Sequence, residues 1–92
     1  MGQYHEPFDK LSKETKDLTR AFRSLIEELE AVDWYNQRMD VTDDEQLKSI
    51  LKHNRDEEME HAAMTLEWIR RKMPEFDEEL KDNLFKEGKI GH

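Results

Sequence analysis

Glu57-Glu58-Met59-Glu60-His61-Ala62-Ala63-Met64-Thr65-Leu66-Glu67-Trp68-Ile69 is the stretch on which the reading of this chain turns. On a helix advancing 100° per residue, Leu47, Leu51, Asn54, Ala62, Thr65 and Ile69 fall within about 40° of Glu58. A carboxylate therefore stands at the centre of an apolar stripe, where a leucine is expected. Its acidic neighbours are elsewhere, Glu57 at about 100° and Glu60 at about 160°. His61 lies about 60° to one side, an i, i+3 neighbour on the helix surface. A carboxylate in a core-facing stripe is costly unless something neutralises it. A metal cation does so, and Glu-x-x-His on a helix is the half-motif of carboxylate-bridged di-iron bundles. A lone histidine is more often a hydrogen-bonded structural residue. The stripe-centre position of Glu58 favours a ligand pair.

Working outward, Leu18, Phe22, Leu25, Leu29 and Val32 are spaced 4, 3, 4, 3, a heptad seam. Ser12 is a plausible N-cap, with Glu14 suited to the first turn. These signals predict a first helix over 12–40. Glu28 lies about 60° from Leu25, at the edge of the same stripe. It reads either as a second ligand or as a flank residue with a solvated head. Thr42-Asp43-Asp44-Glu45 is a capping-box sequence with Thr42 at the cap. It predicts a second helix over 43–72. Pro74 blocks continuation and suits the first position of a short third helix over 75–87, ended by Gly88. Residues 1–10 read as an irregular leader. The fold class is all-α, a two-helix antiparallel hairpin on the order of 40 Å long with a short C-terminal helix.

Composition narrows the function. The 92 residues make one domain with a limited core, so oligomerisation is expected. Charged residues are 41% and the net charge is -8, which leaves no basic stripe for nucleic acid and concentrates cations instead. The absence of cysteine excludes disulfides, thiolate zinc sites and iron–sulfur clusters. No apolar run approaches a membrane span and no signal-peptide core is visible. A cytoplasmic or internally packaged protein is the default expectation.

A complete di-iron bundle takes one Glu from each of two helices and a Glu-x-x-His from each of two others. This chain supplies one of each. A twofold dimer would complete the site, with four carboxylates and two histidines, as a ferritin-like four-helix bundle. Two ferrous ions match four carboxylates in charge. Oxygen and nitrogen donors suit iron, manganese and zinc alike.

The stretches Ser24-Leu25-Ile26-Glu27-Glu28-Leu29-Glu30-Ala31-Val32-Asp33-Trp34-Tyr35, His53-Asn54-Arg55-Asp56-Glu57-Glu58 and His61-Ala62-Ala63-Met64-Thr65-Leu66-Glu67-Trp68 resemble the encapsulated ferritin family, from about His5 to Gly88. The resemblance implies a hairpin that dimerises and then forms a ring-shaped decamer. It implies ferroxidase activity at a di-iron centre across the dimer interface, inside an encapsulin shell that stores the product. The positions matching the family's iron ligands are Glu28, Glu58 and His61. It also implies a metal-entry site at Glu27, Glu30 and Trp34, which helical phase puts on the back of the first helix. A solvated acidic face is the plainer reading of those acids, although an outward tryptophan often marks a partner surface. His53, Glu57 and Glu60 share a stripe that would hold a further divalent cation or be merely solvated. Tyr35 flanks Glu28, by packing or by a hydrogen bond near the metals. The methionines suit packing better than ligation. The family often carries a shell-targeting tail. This sequence stops at Gly88-Lys89-Ile90-Gly91-His92, so placement in a nanocompartment rests on the resemblance.

Two rivals stand beside ferroxidase activity. One is zinc or manganese binding without turnover. The other is a structural oligomerisation module in which Glu58 pairs with Arg55 or Arg70.

Overall fold

Ser12 caps the first helix through its side chain. In the computed structural model, which describes residues 4–91, Ser12 Oγ accepts a hydrogen bond from the Thr15 amide at 3.1 Å. Helix α1 follows over Lys13–Val41. Helix α2 spans Glu45–Lys72 and α3 spans Pro74–Asn83. The described residues contain no strand, so the architecture is all-α. Helix α1 packs on α2 across a short loop, and α3 packs on α2.

The caps differ from the sequence expectation in two places. Asp44 rather than Thr42 caps α2, its side chain accepting from the Leu47 amide at 2.9 Å. Thr42 instead closes α1 and accepts from the Asp44 amide at 3.2 Å. Both residues carry a capping oxygen, and the chain needs the residues between them to reverse direction. Helix α3 ends at Asn83, not near Gly88. Leu84 is its C-cap and Phe85 takes the left-handed φ of 56° that a glycine more often adopts. Pro74 does open α3. The leader is less irregular than expected. Phe8–Lys10 form a 3-10 turn, and the Lys16 ammonium lies 4.1 Å from the Phe8 ring centre. Residues 1–3 of the expected leader lie outside the described residues.

The core is small and belongs to the middle helix. Leu51, Ala62 and Ile69, three of the stripe residues around Glu58, are buried. Leu18, Phe22, Leu25 and Val32 of the α1 seam are half-buried, whereas Leu29 is exposed. One partner helix covers only part of a stripe, so residues to one side stay open. The molecule is correspondingly extended. Its radius of gyration is 16.9 Å, against about 12 Å for a compact domain of this length.

Candidate metal centre

Helix α1 contributes Glu28 and α2 contributes Glu58. The two carboxylates line one hollow of about 190 Å³ with Ser24 and Glu27. Oε1 of Glu28 is shielded from solvent and has no hydrogen-bond partner. An ionised carboxylate only accepts, so this oxygen lacks a donor or a cation. Glu58 is half-buried rather than buried, since the hairpin alone leaves one side of its stripe open. Its Oε1 lies 3.3 Å from Nδ1 of His61. The His61 side chain is half exposed. Although Glu27, Glu28 and Glu58 border the same hollow, no three metal-ligating side chains among the described residues come close enough together to hold an ion. A single chain thus offers two carboxylates and an imidazole in pieces, of a chemistry that fits iron(II).

The two arginines on α2 that could pair with Glu58 are engaged elsewhere. Arg55 donates to Asn36 and Asp56. Arg70 donates to Glu67 and Asp77. A structural module with Glu58 neutralised by Arg55 or Arg70 is therefore not what the structure shows. Lys52 and then Arg55, by hydrogen bonding, hold the Asp56 carboxyl below its usual range.

The other candidate residues are dispersed. Glu27 lies in the hollow and within 3.5 Å of Arg23. Glu30 is exposed, and Trp34, 51% exposed, borders a shallow surface hollow with Gln37 and Arg38. His53 pairs with Glu57 at 2.8 Å, and Glu60 is exposed without joining them in a cluster. Tyr35 is half-buried, with the Arg38 guanidinium 5.4 Å from its ring centre. Ser24 was not among the sequence candidates. Its signal was the i, i+4 relation to Glu28, which puts both on one face. A larger hollow of about 760 Å³ lies between α2 and α3. It is lined mainly by apolar residues and offers Glu67 alone as a metal-ligating side chain.

A family model described as EncFtn-like matches residues 3–87. The chain belongs to the EncFtn-like family. Among members and relatives, it is 59% identical over 83 residues to a ferritin-like protein of Thermotoga maritima, covering 90% of this chain and 73% of that protein. It is 57% identical over 86 residues to an encapsulated ferritin-like protein of Rhodospirillum rubrum, covering 94% of this chain and 61% of the relative. An encapsulin nanocompartment cargo protein of Myxococcus xanthus is 48% identical over 60 residues, 64% of this chain and 46% of its own. The EncFtn-like fold recurs in the crystal structure of a Nitrosomonas europaea protein. The TM-score is 0.92 at 63% identity, over 97% of this chain and 98% of that one.

Proposed function

We propose that the protein is a ferroxidase that takes iron(II) as substrate at a di-iron centre shared by two chains. The observation that carries this reading is the orphaned Oε1 of Glu28, in one hollow with Glu58. Glu28 and Glu58 would bind or bridge the iron, and His61 would complete each ligand set. Iron(II) supplies electrons, and dioxygen or peroxide accepts them. The residues hold the ions as a pair, stabilise the ferric product through carboxylate charge, and exclude bulk water by closing the seam.

The second chain is required because one chain holds only half of a ligand set. The exposed surface supports it. The isolated chain exposes 7692 Å², against about 5,700 Å² for a compact monomer of this size. Ile50, Asn54, Glu57, His61, Met64 and Trp68 recur at 4, 3, 4, 3, 4 along α2, with Ile50 and Met64 well exposed. This second seam runs beside Glu58 and carries His61, so a partner helix seated there meets the ligands. The relatives named as encapsulated and as nanocompartment cargo extend the reading. Dimers would assemble into a ring, a decamer, inside an encapsulin shell in the cytoplasm, where the ferric product is stored. No helix among the described residues is long and apolar enough to cross a membrane. Glu27, Glu30 and Trp34 would serve iron entry. His53, Glu57 and Glu60 would hold a further divalent cation.

Iron(II) added in air to the full chain tests the proposal. A rapid rise in ferric absorbance is expected, lost in Glu58→Ala and His61→Ala. Binding without oxidation would replace the ferroxidase with a zinc- or manganese-type site. Stoichiometric iron held tightly by a monomer would sink the two-chain centre.

A further inference from the structure

Arg55 precedes Glu58 by three residues on α2. Residues at that spacing are surface neighbours on a helix. Glu58 and His61 meet across the same interval at 3.3 Å, and an arginine side chain is longer than a histidine. Pairs with the cation first also form in this chain, as Lys52 and Asp56 do at 2.8 Å. A guanidinium is always charged and suits a carboxylate fork. Glu58 should therefore be an attractive partner for Arg55.

The structure sends Arg55 elsewhere. Nε and Nη2 both donate to Oδ1 of Asp56, at 3.3 and 3.1 Å. Nη1 donates to Oδ1 of Asn36 on α1 at 3.0 Å. The other oxygen of Asp56 accepts from Lys52. A chain Lys52–Asp56–Arg55–Asn36 thus crosses from α2 to α1. Its last link is the only side-chain hydrogen bond joining those two helices among the described residues. The Arg55 side chain is only 24% exposed.

We propose that Asp56 and Asn36 are positioning residues that hold the Arg55 guanidinium away from Glu58 and leave that carboxylate open to a cation. The inference rests on Glu58 being a metal ligand. Its physical content is competition. An arginine paired with Glu58 would have to be displaced before a metal could bind. A site closed in this way about nine-tenths of the time loses about tenfold in apparent affinity. Asp56, two residues before Glu58 and turned well away from it around α2, is thus a carboxylate whose task is to occupy a cation of the chain itself.

Cobalt(II) titrated into the chelator-treated full chain, followed by its visible absorption, tests this without any oxidation step. The signal of interest is the part lost in Glu58→Ala. Asp56→Asn should weaken that binding about tenfold, and Asn36→Ala, which changes no charge, should weaken it in the same direction. Arg55→Gln alone should bind at least as tightly as the parent. In the Arg55→Gln background both substitutions should fall silent, because no guanidinium remains to be released. Equal losses in both backgrounds would mean that Asp56 acts only through its charge, and would overturn the proposal. So would the absence of any loss in the parent background. Absence of any Glu58-dependent cobalt binding in the unmodified chain would overturn the metal centre itself, and this inference with it.

Discussion

Oε1 of Glu58 lies 3.3 Å from Nδ1 of His61, one turn further along α2. The contact links a half-buried carboxylate in the stripe to a half-exposed imidazole on the flank. The pair spans the boundary between the face that packs on α1 and the face left open. Glu28 lies across the hairpin in the same hollow as Glu58, with one shielded oxygen unpaired. Carboxylates left in this way support the proposed ligand set, because side chains serving only the hairpin would have been satisfied within it.

The unpaired oxygen predicts a trade between stability and metal response. Glu28→Leu removes a polar atom that lacks a partner and adds apolar contact to the α1–α2 face. Without metal, the variant should unfold at a higher denaturant midpoint, its unfolding free energy raised by about 1 kcal/mol. Divalent metal should then no longer stabilise it. Denaturant titration of chelator-treated protein, with and without iron(II) under exclusion of oxygen, measures both effects.

The open side of α2 predicts where copies meet. Met64 is 64% exposed and follows His61 by three residues in the second seam. Met64→Lys puts a charge in a contact that should be apolar, yet leaves Glu28, Glu58 and His61 in place. Sizing with iron(II) should show the parent shifting to dimers or larger species and the variant remaining smaller. An unchanged elution profile for the variant would place the interface elsewhere.

The seat of α3 predicts an acid-sensitive element. Hydrogen bonds from Arg70 and then Arg71 hold the Glu67 carboxyl down at about 2, from an ordinary 4.5. Arg70 and then Lys81 hold Asp77 of α3 below its usual range. Carboxyls depressed in the folded state stabilise it above their unfolded value, and that contribution is lost as pH falls through the folded one. The attachment of α3 should therefore be intact at pH 5 and weaken progressively from about 4.5 toward about 2. The groups are solvent-accessible, so a local loosening is expected rather than global unfolding. Amide NMR shifts of residues 75–83 across this range would show it. The combined Glu67→Gln and Asp77→Asn variant should lose the pH dependence.

Much of this was legible because helices are local objects. The 3.6-residue period singled out Glu58 from Glu57 and Glu60, and it set His61 beside it. Ser12 and Pro74 announced helix starts by chemistry that acts within one turn. The errors were also local, but each involved a choice between neighbours. Asp44 and Thr42 both offered a capping oxygen. Phe85 accepted a left-handed φ that Gly88 was expected to supply. Leu29 fitted the seam in spacing but stayed exposed, because spacing cannot say how wide a strip one partner helix covers.

By itself, the sequence determined the all-α hairpin, a reversal shortly after residue 40, and which side chains share a face with Glu58. Those follow from backbone periodicity and cap chemistry. Only the tertiary structure decided that Glu28 and Glu58 line one hollow, that the Glu28 oxygen has no partner, and that Arg55 turns to Asn36 and Asp56. It also decided that Arg70 fastens α3 through Asp77. These outcomes depend on where one helix lies against another. A long charged side chain with several partners in reach takes the set that the packed helices bring within hydrogen-bond distance.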